Sequence, residues 1–143
     1  MRPVLIVDDE PSIRHLVGRW LSDAGYAKTE AESADAAMAS MAENPASVVF
    51  CDVQMPGHDG LWLTRQLRTQ YPTTAVVLAT GVTSVPPSVS MQSGVLAYLV
   101  KPFRRATLLE ALEQALKWHE QASAGQQPPD PKGLDHWLNA LEG

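Results

Sequence analysis

Five polar positions carry the chemistry this sequence offers. Asp8 and Asp9 follow an apolar run at residues 3–7, and Asp52 follows one at 47–51. Thr80 follows a run at 75–79, and Lys101 follows one at 96–100. Carboxylates gathered together repel, which raises the cost of ionising all of them. A hard divalent cation relieves that cost. Oxygen donors suit Mg²⁺, which is held by one or two carboxylates together with waters and phosphate oxygens. A lysine and a hydroxyl suit an incoming phosphoryl group, one as a point charge and the other as a hydrogen-bond donor. A carboxylate is also a competent nucleophile towards phosphorus and forms an aspartyl-phosphate. Taken singly, such residues are most often caps, turns or surface groups. Their conjunction supplies a nucleophile, a metal site and two charge-stabilising groups.

Alternating elements must bring these residues together. The runs at 3–7, 47–51, 75–79 and 96–100 read as buried strands, because each is short, continuous and bounded by polar residues. Residues 26–30 read as a shorter, weaker strand. Ile13, Leu16, Val17, Trp20 and Leu21 fall on one face of a helix, which Gly25 can end. Ser33 caps a second helix that turns Ala37, Met38 and Met41 inward, and Asn44-Pro45 stops it. Met55-Pro56-Gly57 is turn chemistry, and Leu61, Leu63 and Leu67 offer packing on the helix after it. Leu108, Leu109, Leu112, Ala115 and Leu116 give the last helix a buried face. About five βα units result, so the fold class is α/β with a parallel sheet covered on both faces. Ligands of such sheets bind outside the carboxyl ends of the strands, where the five polar positions would converge.

Composition fits that picture and narrows the function. The chain has 143 residues, 45% of them hydrophobic and 19% charged, enough for one packed domain rather than a disordered chain. Sixteen acidic against 11 basic residues give a formal net charge of -5, which argues against a direct nucleic-acid grip within these residues. A single cysteine excludes a disulfide framework and a cysteine-based zinc site. No apolar run approaches the ~18 residues that span a bilayer, so no membrane association and a cytoplasmic location are expected.

The motifs, in this order and spacing, resemble the receiver domain of two-component response regulators, the CheY-like family. The resemblance rests on Asp8-Asp9 after Val-Leu-Ile-Val, Asp52 in Asp-Val-Gln-Met-Pro-Gly-His-Asp-Gly, Thr80 in Leu-Ala-Thr-Gly, and Lys101 in Tyr-Leu-Val-Lys-Pro-Phe. It covers residues 1–121. It implies a flavodoxin-like, doubly wound (βα)5 sheet of order 2-1-3-4-5. It implies Asp52 as phosphoacceptor, charged by a sensor histidine kinase or a phosphotransfer protein. Asp9 would ligate Mg²⁺ directly and Asp8 more closely or through water, with Asp52 and the backbone carbonyl of Gln54 completing the set. Lys101 and Thr80 would bind the phosphoryl group, and Tyr98 would be the switch aromatic. Lys101-Pro102 would be a cis peptide bond. The implied activity is that of a phosphorylation-controlled switch, catalysing only its own phosphotransfer and dephosphorylation. Gln54 and Val82 stand where the family tunes phosphoryl lifetime. A haloacid-dehalogenase-type phosphatase is the rival reading, but it needs a second carboxylate where Gln54 stands.

Two stretches depart from the pattern. Residues 82–94 carry Val85-Pro86-Pro87 and many serines, so a short helix beginning near Pro86 is expected there. Residues 122–143 read as a Gln/Pro-rich linker followed by a short amphipathic helix with Leu134, Trp137, Leu138 and Leu141 at i, i+3, i+4 and i+7. That helix needs a partner. Folding back on the receiver, pairing with another chain and leading into a further output domain all fit it. A homodimer through the 82–94 segment and the final helix is implied by family analogy alone.

Overall fold

A computed structural model describes residues 3–81 and 94–126. Five parallel strands form one sheet in the order β2-β1-β3-β4-β5. They are β1 (Val4–Val7), β2 (Lys28–Ala31), β3 (Val48–Asp52), β4 (Ala75–Thr80) and β5 (Val95–Val100). Four helices accompany them among the described residues: α1 (Pro11–Asp23), α2 (Ala34–Glu43), α3 (Gly60–Gln70) and α4 (Arg105–Ser123). The flavodoxin-like α/β order expected from the motifs is therefore the order observed.

Strand alternation builds two cores. Ile6, Phe50, Val77 and Leu99 face Val17 and Leu21 of α1 and Leu108, Leu112 and Ala115 of α4. Leu5, Val49, Cys51, Val76 and Leu78 face Ala37 and Met41 of α2 and Leu63 and Leu67 of α3. Both faces are covered, which is why these strands read as unbroken apolar runs. β2 is the exception. Its Lys-Thr-Glu-Ala stretch is mostly solvent-facing, and only Ala31 is buried. Pairing with β1, with Val4 opposite Lys28 and Val7 opposite Ala31, sets its limits. The strand thus lies at 28–31 rather than at 26–30.

The helix ends follow the expected chemistry. Ser33 accepts a hydrogen bond from the Ala36 N–H at 3.0 Å, and Pro11 opens α1. Leu16 departs from the expected inward face: it is 43% exposed. Val17 and Leu21 define the line of α1 that meets the sheet, and Leu16 lies one residue, about 100°, round the helix from Val17. α4 runs on through Ala122 to Ser123, and Gly125 then takes a left-handed φ of 77° beyond its end. The expected short helix near Pro86, Val82 and the apolar residues of the tail lie outside the described residues.

Candidate functional site

The strand order reverses across β1: β3 is its neighbour on one side, and β2 on the other. At the carboxyl ends beside this switch point stand Asp8, just after β1, and Asp52, the last residue of β3. Ligands of open parallel sheets bind at such a point. Thr80 closes β4, and Lys101 follows β5.

Lys101 ties the cluster together. Its Nζ lies 3.1 Å from Asp8 Oδ2 and 3.3 Å from Asp52 Oδ2. The Asp8 residue is fully buried and Asp52 is 4% exposed, so these are largely desolvated ion pairs. Burial works against the Lys101 charge, but its pairing with Asp8 and Asp52 outweighs that and holds its pKa above the ordinary value. For Asp52 the balance is different. Burial pushes its carboxyl pKa up, Lys101 pulls it down, Asp8 pushes it up again, and the net shift is upward. The backbone N–H of Gln54 donates to Asp52 Oδ1 at 3.2 Å and fixes the carboxylate's rotation. The Gln54 side chain is exposed.

Asp9 is exposed beside this pair, and one oxygen each of Asp8, Asp9 and Asp52 lie within 4.8 Å of one another. Opposite oxygens of an octahedral Mg²⁺ lie ~4.2 Å apart, so the cluster fits a hard cation after a small inward adjustment. Charge fits as well, since three carboxylates and one ammonium leave room for two positive charges. This acidic cluster could hold a metal ion.

The outer groups of the site are also in place. Thr80 is fully buried and Tyr98 is 3% exposed. The Thr80 hydroxyl is hydrogen-bonded to the Tyr98 phenol; burial raises the Tyr98 pKa and this bond partly offsets it. Tyr98, the position for which the resemblance implies a switch role, is thus packed inward in this structure. The Lys101-Pro102 bond is cis. Cys51 is fully buried beside Asp52, and burial, with the nearby carboxylates, raises its thiol pKa well above the ordinary value. It is a packing residue rather than a redox group.

Sequence reasoning passed over three supports of this site. The guanidinium of Arg14 donates to the Asp8 carbonyl at 2.8 Å and steadies the β1–α1 turn. Asp59 caps α3 by accepting from the Trp62 N–H at 2.8 Å. His58 stacks on Trp62 with ring centroids 3.8 Å apart and meets Asp35 of α2 at 2.9 Å. His58 and Asp59 sit inside the quoted motif; the partner of Asp59 is local, three residues on, whereas nothing local signals the contact of His58 with Asp35 of α2.

The model of the response regulator receiver domain matches residues 4–113. The chain belongs to this family. It is 32% identical over 142 residues to the transcriptional regulatory protein AruR of Pseudomonas aeruginosa, with 94% of this chain and 58% of that protein covered. It is 33% identical over 119 residues to the DNA-binding transcriptional regulator NtrC of Salmonella typhimurium, covering 82% of this chain and 25% of NtrC. The chain therefore spans little over half of the first relative and a quarter of the second. A receiver domain protein described as CheY-like, from Methanospirillum hungatei, superposes with a TM-score of 0.78 at 27% identity, covering 85% of this chain and 98% of its own. Receiver domains are signalling regulators. No described helix is long and apolar enough to cross a membrane.

The upward shift at Asp52 yields a prediction. An acid whose pKa is raised by folding contributes stability below its unfolded value of about 3.9, and that stability is lost as pH rises through the folded value. At pH 7 the ionised Asp52 is therefore a net cost in metal-free buffer. Asp52→Asn is expected to raise the thermal midpoint by a few degrees at pH 7 in the presence of a chelator. The gain is expected to shrink as the pH is lowered towards 4. Scanning calorimetry checks this, and a variant less stable than wild type at pH 7 contradicts it.

Proposed function

We propose that this receiver is a phosphoacceptor switch with Asp52 as its acceptor. The observation that carries the reading is the buried Asp8–Lys101–Asp52 arrangement, with the Lys101 ammonium within 3.3 Å of both carboxylates. The donor is the phosphohistidine of a sensor kinase or phosphotransfer protein. An Asp52 oxygen attacks phosphorus, the P–N bond breaks, and the imidazole leaves with its electron pair. The product is an acyl phosphate. Mg²⁺, held by Asp8, Asp9, Asp52 and the Gln54 carbonyl, would supply neutralisation of the charge that gathers on the phosphoryl oxygens. Lys101 supplies a second positive charge from the β5 side, and Thr80 supplies a hydroxyl donor from β4.

Asp52 is anionic both before and after transfer, so the change of sign is not the signal. New acceptor oxygens are the signal. Lys101 would exchange part of its pairing with Asp52 for the phosphoryl group, and Thr80 would turn towards it from Tyr98. Contacts that exist only in the phosphorylated form shift a two-state equilibrium. The surface around Tyr98 and the last helix then carries the change to an output partner or domain. This reading requires a cytoplasmic location, where the kinase acts. The phosphatase alternative gains nothing here, because the exposed Gln54 side chain offers an amide and no carboxylate.

Beryllofluoride tests the reading without covalent chemistry. With Mg²⁺ present, wild type is expected to give a bound ¹⁹F resonance that is lost in Asp52→Ala and on adding a chelator. An undiminished bound signal in Asp52→Ala overturns the assignment.

A further inference from the structure

Asp8 is held from four directions. Its N–H donates to the Ala31 carbonyl of β2 at 3.2 Å. Its Oδ1 accepts from the Glu10 N–H at 2.9 Å, and its Oδ2 lies 3.1 Å from the Lys101 ammonium. The fourth hold is on the backbone, where Arg14 Nη1 donates to the Asp8 carbonyl at 2.8 Å. A peptide group is planar, so a fixed Asp8 carbonyl also fixes the direction in which the chain enters Asp9. Asp9 is the exposed carboxylate of the acidic cluster, beyond the packed wall that holds Asp8 and Asp52. One side chain thus bears on two of the three carboxylates.

Arg14 is itself anchored. Its Nε pairs with Glu30 Oε1 at 3.5 Å, and Glu30 Oε2 accepts from the Lys28 ammonium at 2.6 Å. The Arg14 side chain is 14% exposed and that of Glu30 24%, so the pair is shielded from most of the solvent. Lys28 and Glu30 stand two apart on β2, hence on one face of the sheet, paired with Val4 and Ile6 of β1. Val4 and Ile6 pack with Val17 and Leu21 of α1, so this is the face that α1 covers. The hydrogen bond from Lys28 holds the Glu30 carboxyl below its ordinary pKa against the opposing effect of burial, which keeps it ionised beside Arg14. Gly18, one turn after Arg14 on α1, makes the room. A Cβ there would stand 3.2 Å from Lys28 Nζ and 3.4 Å from Glu30 Oε2. Glycine inside a helix is unfavourable, and here it leaves space for the ends of these two side chains. The row Lys28–Glu30–Arg14 therefore runs beneath α1 from the edge strand to the Asp8 carbonyl.

Charge and geometry act in opposite senses at this position. A guanidinium beside a cation site repels Mg²⁺, and Glu30 offsets that repulsion. Its hold on the Asp8 carbonyl favours the ion by keeping the ligands in place. We propose that Arg14, anchored by Glu30, is a positioning residue of the Mg²⁺ centre, fixing the Asp8–Asp9 peptide so that both carboxylates serve one ion. The role rests on the reading of Asp8, Asp9 and Asp52 as the Mg²⁺ ligands.

The Mg²⁺ affinity of the full chain tests it, read from amide chemical shifts during a MgCl₂ titration, with no phosphodonor present. The same spectra show whether each variant is folded. Partners behind the ligands of a metal are worth 10–100-fold in affinity, so Arg14→Met is expected to weaken Mg²⁺ about tenfold or more. Removing a nearby positive charge acts the other way, so a role through charge alone gives tighter binding, and a merely structural role gives no change. Either result overturns the proposal. Arg14→Lys is expected to fall between wild type and Arg14→Met, because an ammonium keeps the charge but lacks the planar fork that bridges Asp8 and Glu30. If Arg14→Met does not fold, Arg14→Lys decides, and an affinity equal to wild type overturns the proposal. Glu30→Ala is expected to weaken Mg²⁺ in wild type and to add nothing in Arg14→Met, since Glu30 acts through Arg14. Additive losses overturn that anchoring. Wild type that takes up no Mg²⁺ overturns the reading of the three carboxylates as well, whereas binding by wild type and equally by the variants overturns the role of Arg14 alone.

Discussion

Lys101→Ala is expected to destabilise the metal-free domain by about 3 kcal/mol. Removing one partner of a buried pair costs roughly 3–5 kcal/mol, since the remaining charge is left uncompensated. The lower end applies because the Lys101 side chain is 19% exposed, whereas that of Asp8 is fully buried. The sign of the pH dependence follows from the raised Lys101 pKa. A base held above its unfolded value contributes stability that is complete below about 10.4 and fades as pH rises through the folded value. At pH 7 the whole contribution is present, so the whole loss is seen. Saturating Mg²⁺ is expected to return part of it, because a ligand bound only to the folded state at 100 times its Kd adds ~2.7 kcal/mol. Urea unfolding of wild type and Lys101→Ala, with chelator and with Mg²⁺, measures both effects. A variant as stable as wild type in chelator contradicts the electrostatic account of the cluster.

Gly60→Ala is expected to be nearly as costly for stability and more damaging to the site. Gly60 opens α3, and its N–H donates to the Val53 carbonyl at 2.9 Å. A Cβ on this residue would run into the Asp52 carbonyl oxygen, and would stand 2.8 Å from Val53 Cα and 3.0 Å from the Asp52 carbonyl carbon. Every obstacle is backbone, so no side chain can yield by turning. Forcing extra volume into packed structure costs roughly 1–3 kcal/mol. The unyielding backbone puts this site at about 3. Relief must come from moving α3 or the end of β3, and the end of β3 is Asp52. A misplacement of about 1 Å costs on the order of 100-fold in rate. Phosphorylation by acetyl phosphate is therefore expected to slow about 100-fold in Gly60→Ala at temperatures where the variant remains folded. An unchanged rate contradicts the claim that Gly60 sets the position of Asp52.

These two residues were not equally legible in the sequence. Lys101 stood at the end of an apolar run before Pro-Phe, and its partners Asp8 and Asp52 stood at the ends of two others. Strand termini are visible wherever both faces of the sheet are covered. The parallel βα alternation and the candidate site could therefore be read together from β1, β3, β4 and β5, whereas the sheet order came from the family resemblance. β2 gave no such signal, because an edge strand of Lys-Thr-Glu-Ala buries one residue of four and is defined by its pairing with β1. Leu16 misled for a related reason. Helical spacing identifies a broad apolar face but not which part of it meets the sheet. Gly60 was visible as part of a turn motif. Its closeness to the Asp52 backbone depends on how α3 returns to β3, and no spacing encodes that. The pairing of His58 with Asp35 was hidden in the same way, since it joins the β3–α3 loop to α2.

The most direct test of the central claim is the location of a covalent phosphoryl group. Wild type and Asp52→Ala are incubated with acetyl phosphate and Mg²⁺, and the products are mapped by peptide mass spectrometry. The predicted result is one phosphoryl group per chain, on Asp52, absent without Mg²⁺ and absent from Asp52→Ala. A phosphoryl group on another residue of wild type, or equal incorporation into Asp52→Ala, contradicts the account.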